Sequence, residues 1–308
     1  MKYEILNGLP SSHAWKKVDI YGKTYKGIIW DEKNIKRDDT LLLYKDWATV
    51  FFDSDWYEIG TGSISEEDST ERDVHLLKDI FRGNLKRDKT LIDVHCGSGR
   101  HLLKLAEDEI YGIGMEGAEP LRDQAKQKIR DRNVPITIFS TSDSDKRKLA
   151  GRADIVTTLF NSMGYTFSYD DDANRFRWIT NLLKPEGLYL LDIRAEDFQI
   201  KNYSTPQTTV NQFSVNLNNH EGDVEVETLR YWSNKILAVE KKIIFDGAKV
   251  QHSTYGWRTY SNNEIKDMLQ NLDMRFVESR DDYYTAPENY GERTLFLFQK
   301  DKNLRKKI

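Results

Sequence analysis

A single cysteine stands among 308 residues, which excludes an internal disulfide and any Cys-rich zinc site. Long apolar runs are missing as well: no stretch approaches the ~18 residues of a membrane span. The N-terminal MKYEILNGLPSSHAWKK lacks the apolar core of a secretory signal. Neither sign of charge dominates. Forty-six Lys and Arg face 50 Asp and Glu, for a formal net charge of −4, whereas a dedicated nucleic-acid binder usually carries an excess of positive charge. No compact His/Asp cluster suggests a metal site, and there is no internal repeat or low-complexity block. These absences set the expectation of a soluble, cytoplasmic protein without membrane or nucleic-acid partners, long enough to bury a sizeable core.

What is present changes character along the chain. Residues 13–30 alternate weakly around Tyr21-Gly22-Lys23, as a hairpin does. Residues 41–59 are rich in Leu, Trp, Phe and Tyr, including Tyr44, Trp56 and Tyr57, and read as core or lid. After Gly60–Ser63, a helix capped by Ser65 or Ser69 runs to Phe81. From residue 90 short apolar strands alternate with amphipathic helices: strands 90–94, 110–115, 135–140, 153–160 and 187–194, helices 99–107, 118–131 and 170–183. This succession predicts a parallel sheet in an α/β domain. Lys184–Gly187 reads as a turn. Residues 207–256 hold strand-like runs separated by Gly222-Asp223, Asn234-Lys235 and Asp246-Gly247, an antiparallel meander. A helix over 261–272, capped by Ser261, and strands near 274–279 and 293–299 close the sheet as an antiparallel pair. The domain expectation is an extension (1–62), an α/β domain (63–195 and 259–300) and an inserted β cap (196–258).

The chemistry concentrates at the ends of the predicted parallel strands. Residues 91–101 read LIDVHCGSGRH: an apolar strand, a glycine turn, then a helix with an apolar face. Such a unit brings backbone N–H groups and a helix N-terminus to a ligand. Gly97 and Gly99 let a bulky adenosine-type ligand approach the backbone. Asp93 ill suits a pyrophosphate but suits a cationic ligand with amino and hydroxyl donors. Glu116, ending the second strand 17 residues after Gly99, is placed to accept bonds from two ribose hydroxyls. Ser142, Asp143 and Asp145 follow the third strand, and Asn161 and Ser162 the fourth.

In order and spacing these segments resemble the class I S-adenosylmethionine-dependent methyltransferases. DVHCGSGRH resembles their first motif, GMEGAEPLRDQAK the ribose motif, ADIVTTLFNSMGY the fourth-strand segment and LLKPEGLYLLDIR the turn and strand after it. The match covers roughly residues 70–195, and the meander resembles the cap of small-molecule members such as glycine and amino-sugar N-methyltransferases. The resemblance implies a Rossmann-like, mostly parallel sheet with an antiparallel terminal strand, and S-adenosylmethionine as cofactor. It implies Asp93, Cys96, Gly97 and Gly99 at the methionine end and backbone cradle, with Glu116 on the ribose. Asp143 is implied at the adenine, Met115 against the base, and Asn161 and Ser162 near the sulfonium and acceptor. His95 stands where the family has its first glycine, and its imidazole there would either crowd the ligand or add a polar contact to it. Glu186 replaces a glycine of the usual KPGG turn, and Ala118 stands where Ser or Thr is common.

The implied activity is methyl transfer to an N or O atom of a small-molecule acceptor, releasing S-adenosylhomocysteine, with no catalytic base identified. An RNA methyltransferase and a non-catalytic methyltransferase-like binding protein are the alternatives. Tyr165, Trp257, Arg258 and Tyr260 are candidates for the acceptor pocket or for plain packing. Cys96 reads as a small buried residue and His101 as a helix-surface residue. The meander suits a cover over the site or a homodimer interface equally.

Overall fold

The computed structural model describes residues 1–9, 14–20, 22–29, 32–52, 67–217, 220–281 and 292–302. The chain divides into two compact units, one of Met1–Ser63, Gly164–Ser168 and Asp197–Thr259, the other of Ile64–Met163, Tyr169–Glu196 and Tyr260–Ile308. The described strands are β1 (Lys2–Leu6), β2 (Ala14–Ile20), β3 (Lys23–Ile29), β4 (Lys36–Arg37), β5 (Thr40–Tyr44), β6 (Leu91–Val94), β7 (Gly112–Met115), β8 (Thr137–Phe139), β9 (Ala153–Thr158), β10 (Leu183–Arg194), β11 (Gln207–Leu217), β12 (His220–Ser233), β13 (Ile236–Phe245), β14 (Ala248–Arg258), β15 (Met274–Arg280) and β16 (Arg293–Lys300). The described α-helices are α1 (Trp47–Phe51), α2 (Glu67–Phe81), α3 (Arg100–Ala106), α4 (Glu119–Arg132), α5 (Asp143–Leu149), α6 (Tyr169–Asn181), α7 (Glu196–Tyr203) and α8 (Asn262–Gln270). Among the described residues no helix is long and apolar enough to cross a membrane.

The second unit is built on a seven-stranded sheet of order β15-β16-β10-β9-β6-β7-β8. Strands β10, β9, β6, β7 and β8 pair in parallel, while β16 runs antiparallel to both β10 and β15. This is the expected Rossmann-like α/β sheet with its antiparallel terminal strand. Apolar side chains bury in two clusters. One joins Leu77, Phe81, Leu91, Leu102, Ala125 and Ile138; the other joins Ile92, Met115, Phe176, Leu191, Ile265 and Phe296. Burial on both faces explains why these strands read as continuous apolar runs. Ser261 caps α8 through a reciprocal capping box with Glu264, the device that satisfies two otherwise orphaned N–H groups.

Three local features depart from the sequence reading. The polar stretch after β8 is a helix, α5; a single buried side chain, Leu149, left no apolar periodicity to find. Helix α7 was likewise hidden, because its buried residues include Glu196 and Gln199. The Lys184–Gly187 turn is not a link before the strand. It lies within β10, where the register against β9 shifts between Leu183 and Leu188, and Glu186 takes φ +63° there.

The first unit contains a six-stranded sheet of order β11-β12-β13-β14-β3-β2 and a three-stranded sheet of order β1-β5-β4. Strands β11 to β14 form the expected meander, and β2 and β3 the expected hairpin. The calls on Ser65, Trp56, Tyr57 and Gly60–Ser63 lie outside the described residues. An aromatic cluster packs α1 within this unit: Trp47 stacks on Tyr255 at 5.0 Å and meets Tyr165 and Trp257 edge-on.

Candidate active site

In the seven-stranded sheet, β6 pairs with β7 on one side and β9 on the other. The chain leaves β6 toward β7 and returns to β9, so the carboxyl ends of β6 and β9 flank a topological switch point. Open α/β sheets bind ligands in the crevice at that point. The expected site residues, from Asp93 to Ser162, follow or end the four strands β6 to β9 here.

Asp93 is 3 % exposed and accepts a 2.7 Å bond from Thr157 Oγ1 on β9. Burial pushes its carboxyl up to about 7, partly countered by that bond and by the Arg100 charge. The group is therefore poised between neutral and ionised, ready to be drawn into the charged form by a cation. The turn after it is bound to β7: His95 N–H and Cys96 N–H both donate to Met115 O, at 2.7 and 3.2 Å. His95 takes φ +61°, the left-handed conformation that disfavours a Cβ but that His enters more readily than most residues. This explains the family's glycine at that position and how a histidine replaces it. The imidazole lies edge-on to Trp178, 6.4 Å between centroids, and its buried Nε2 lacks a hydrogen-bond partner. Burial, with the Arg175 and Lys146 charges, holds it down to about 3, so the ring is neutral. Cys96 is buried, and burial beside Asp93 and Glu116 pushes its thiol well up, which suits its reading as an inert packing residue.

Gly97 has φ +56°, and a Cβ there would meet nothing within 4 Å. Open space thus adjoins the backbone at the turn, which lets a ligand approach it closely. Gly99 is the left-handed N-cap residue of α3. Glu116 Oε2 accepts from Gly97 N–H at 2.9 Å and Oε1 from Ala118 N–H at 2.7 Å. Each carboxylate oxygen keeps a further lone pair, so two more hydroxyl donors can be accommodated. Burial raises the Glu116 carboxyl, against lowering by the backbone donors.

The three polar residues after β8 take different parts. Ser142 caps α5 by accepting from Asp145 N–H. Asp145 is occupied by Ser140 and Lys148, which hold it down to about 2. Asp143, at the first position of α5, has an 81 % exposed side chain whose one ion pair, to Lys146, spans 3.3 Å. Of the two carboxylates, that of Asp143 is the more accessible. After β9, Asn161 Oδ1 accepts from Arg194 N–H at 2.8 Å, while its buried Nδ2 has no partner. Ser162 donates to Leu159 O at 2.8 Å. Tyr260 is buried and donates to Asp172 at 2.5 Å, which makes it a packing residue.

Comparison with known proteins bears on this geometry. Residues 91–187 match the family model described as a methyltransferase domain. That segment, β6 to the register shift in β10, is similar to a methyltransferase domain. Over 228 residues it is 25 % identical to "Putative methyltransferase YqeM" of Bacillus subtilis (strain 168), covering 73 % of this chain and 89 % of that protein. It is 22 % identical over 218 residues to a dTDP-4-amino-2,3,4,6-tetradeoxy-D-glucose N,N-dimethyltransferase of Saccharopolyspora spinosa, covering 71 % and 77 %. In fold it is similar to S-adenosylmethionine-bound CalS10, an amino pentose methyltransferase from Micromonospora echinaspora. That match has a TM-score of 0.62 at 16 % identity and covers 79 % of this chain and 96 % of the other.

The second unit also contains a buried network that sequence reasoning missed. Asp192 on β10 is fully buried, accepts from Arg293 Nε at 2.8 Å and from Arg293 Nη2, and takes Phe160 N–H at 2.8 Å. The Phe160 ring lies between the guanidinium groups of Arg100 and Arg293, 4.3 and 4.5 Å from its centroid, a doubled cation–π contact. Arg100 also donates to Thr70 and Asp73, each at 2.8 Å. His101 is not a surface residue: it is 5 % exposed, stacks on Phe160 and lies 3.2 Å from Asp73. These partners come from β10, β16, α2 and α3, and no local pattern links them. Among the described residues no His/Cys/Asp/Glu group could hold a metal ion.

Proposed function

We propose that the chain binds S-adenosylmethionine at the β6–β9 strand ends and moves its methyl group to a small-molecule acceptor. S-adenosylmethionine is the methyl donor, supplying an already activated sulfonium-bound methyl. Asp93 takes the cationic amino end, the Gly97 and Gly99 backbone forms the cradle, and Cys96 packs beneath it. Glu116 takes the ribose hydroxyls, Met115 the base and Asp143 the adenine amine. Asn161 and Ser162 line the acceptor side, and His95 borders the pocket through its ring edge. The observation that carries this reading is the pairing of a buried carboxylate of Asp93 with the open left-handed Gly97. It is a carboxyl group that a cation would ionise, on the strand that leads into an open glycine turn.

The domain's task is positional. With the donor activated, holding the acceptor nucleophile in line and excluding water supplies most of the rate effect. The Asn161 Nδ2 lacks a partner and would donate to an acceptor oxygen or to the donor's carboxylate. An amino sugar is the acceptor class favoured by the similarity to amino-sugar enzymes, with N as the acceptor atom. A homodimer through the β11–β14 meander and a cytoplasmic setting belong to the same proposal. The test is incubation of the purified chain with methyl-labelled S-adenosylmethionine and a panel of amino sugars, free and nucleotide-linked, read by mass. Label on an amino nitrogen is the expected result. Saturable cofactor binding with no label on any acceptor, or label only on RNA, would overturn the acceptor assignment.

A further inference from the structure

A sheet edge is a row of unpaired N–H and C=O groups, a template for pairing with another chain unless charge, a bulge or shortness guards it. Most edges of this molecule are guarded. In the seven-stranded sheet β15 carries Arg275, Glu278 and Arg280 and shifts register between Phe276 and Glu278, and β8 has three residues. In the three-stranded sheet β1 carries Lys2 and Glu4, and β4 is Lys36 and Arg37 alone. In the six-stranded sheet β2 carries Lys16, Lys17 and Asp19. The opposite edge of that sheet, β11, has none of these devices. Its 11 residues, QTTVNQFSVNL, include no charge and no proline, and its ladder with β12 runs without a bulge from Gln207 to Leu217. Residues 207–212 are exposed in succession, Val210 at 53 %. Among the described residues β11 pairs with β12 alone.

The groups on the open side of β11 follow from the neighbouring turn. Asn234 and Lys235, both left-handed, form the two-residue turn between β12 and β13. The flanking pair, Ser233 and Ile236, therefore exchanges main-chain bonds. Bonding direction alternates along a strand, so Val226, Thr228 and Arg230 bond instead to Asn211, Thr209 and Gln207 of β11. The N–H and C=O groups of Thr208, Val210, Gln212 and Ser214 then point away from β12.

The occupant this edge suits is a second copy of the chain. A two-fold axis lays β11 antiparallel against itself, the sense in which β11 to β14 already pair. No charge on the strand meets its like, as it would at β2 or β15. The pairing also closes after two copies, because the joined sheet ends on the guarded β2 at both sides. We propose that the chain forms a two-fold dimer in which β11 of each copy pairs with β11 of the other, making one continuous sheet. The inference rests on the homodimer reading above and names the strand that makes it, and it does not depend on methyl transfer.

The test is sedimentation velocity on the full chain over a range of concentrations. Wild type is expected to run as two copies. Val210→Pro deletes an outward N–H without removing a β11–β12 bond, a change that an edge strand tolerates. It should raise the dimer dissociation constant at least about tenfold, since each dimer loses two main-chain bonds. Val210→Lys places a charge at the same exposed position and should act in the same direction, with circular dichroism of both variants matching wild type. Single cysteines introduced in turn along 208–214 locate the axis, because the native Cys96 is buried. Oxidative cross-linking should concentrate where the strand meets itself. Titration with S-adenosylhomocysteine should give wild type and both variants the same affinity, so failure of the interface and failure of the cofactor reading are told apart. A monomeric wild type at the highest soluble concentration would overturn the proposal. So would a dimer that survives both Val210 substitutions, a mass above two copies, or no cross-link anywhere along 208–214.

Discussion

The turns after β6 and after β9 solve one geometric problem in two ways. Each carries the chain out of a buried parallel strand through left-handed backbone: His95, Gly97 and Gly99 in the first, Phe160 and Asn161 in the second. The first is glycine-coded and light. Its conformation costs little because two of its three left-handed residues lack a Cβ, and it keeps open space at Gly97. The second uses two large residues and is held from outside, by Asp192 on Phe160 N–H, by Arg194 N–H on Asn161, and by two guanidiniums against the Phe160 ring. The turn that keeps open space against its backbone is coded locally. A turn that must present side chains is coded by distant partners.

The largest effect should come from removing the outside support. Asp192→Ala removes both carboxylate bonds from the buried Arg293 guanidinium and frees Phe160 N–H. Chemical denaturation should show a loss of about 3–5 kcal/mol. A loss under about 1 kcal/mol would mean that the second turn holds itself.

The next effect concerns pH. The Asp93 carboxyl, raised from 3.8 to about 7 in the folded chain, stays protonated where the unfolded chain has released its proton. Stability from this group therefore falls as pH rises from about 4 to about 7 and then levels off. A bound cation draws the same group into its ionised form, so S-adenosylmethionine affinity should rise about tenfold between pH 6 and pH 8. Asp93→Asn should flatten both profiles. Calorimetry across that range checks them, and an affinity that fell with pH would put the cation elsewhere.

The smallest effect compares the turns directly. Asn161→Gly relieves the left-handed strain but discards the bond from Arg194 N–H, and should cost about 1 kcal/mol. His95→Gly relieves similar strain while its lost ring contact with Trp178 and the added unfolded-state freedom offset the gain, so its thermal midpoint should barely move. Equal effects of the two substitutions would erase the distinction drawn between the turns.

The same distinction explains what was legible in the sequence. The strand–glycine–helix unit at Asp93, the carboxylate at Glu116, the parallel sheet and the Ser261-capped helix rest on local periodicity and caps, and each can be read from neighbours in the chain. Asp192 could not: it reads as one more residue of an apolar strand, and its partner Arg293 lies 101 positions away. His101 reads as a surface position because nothing nearby announces Phe160 and Asp73 closing over it. Helices α5 and α7 escaped because their buried residues are few or polar. Even Glu186, an apparent departure from a glycine, becomes intelligible only as a bulge inside β10.

The central claim is that the Asp93–Glu116 crevice is a cofactor site, and a paired titration tests it most directly. Wild type and Glu116→Ala are titrated with S-adenosylmethionine in a calorimeter, with thermal melts alongside to confirm folding. Saturable one-to-one binding is expected, weakened by the substitution by about 1–3 kcal/mol, the loss of two hydroxyl bonds to a charged group. Absence of binding at millimolar ligand, or an affinity unchanged by Glu116→Ala, would contradict it.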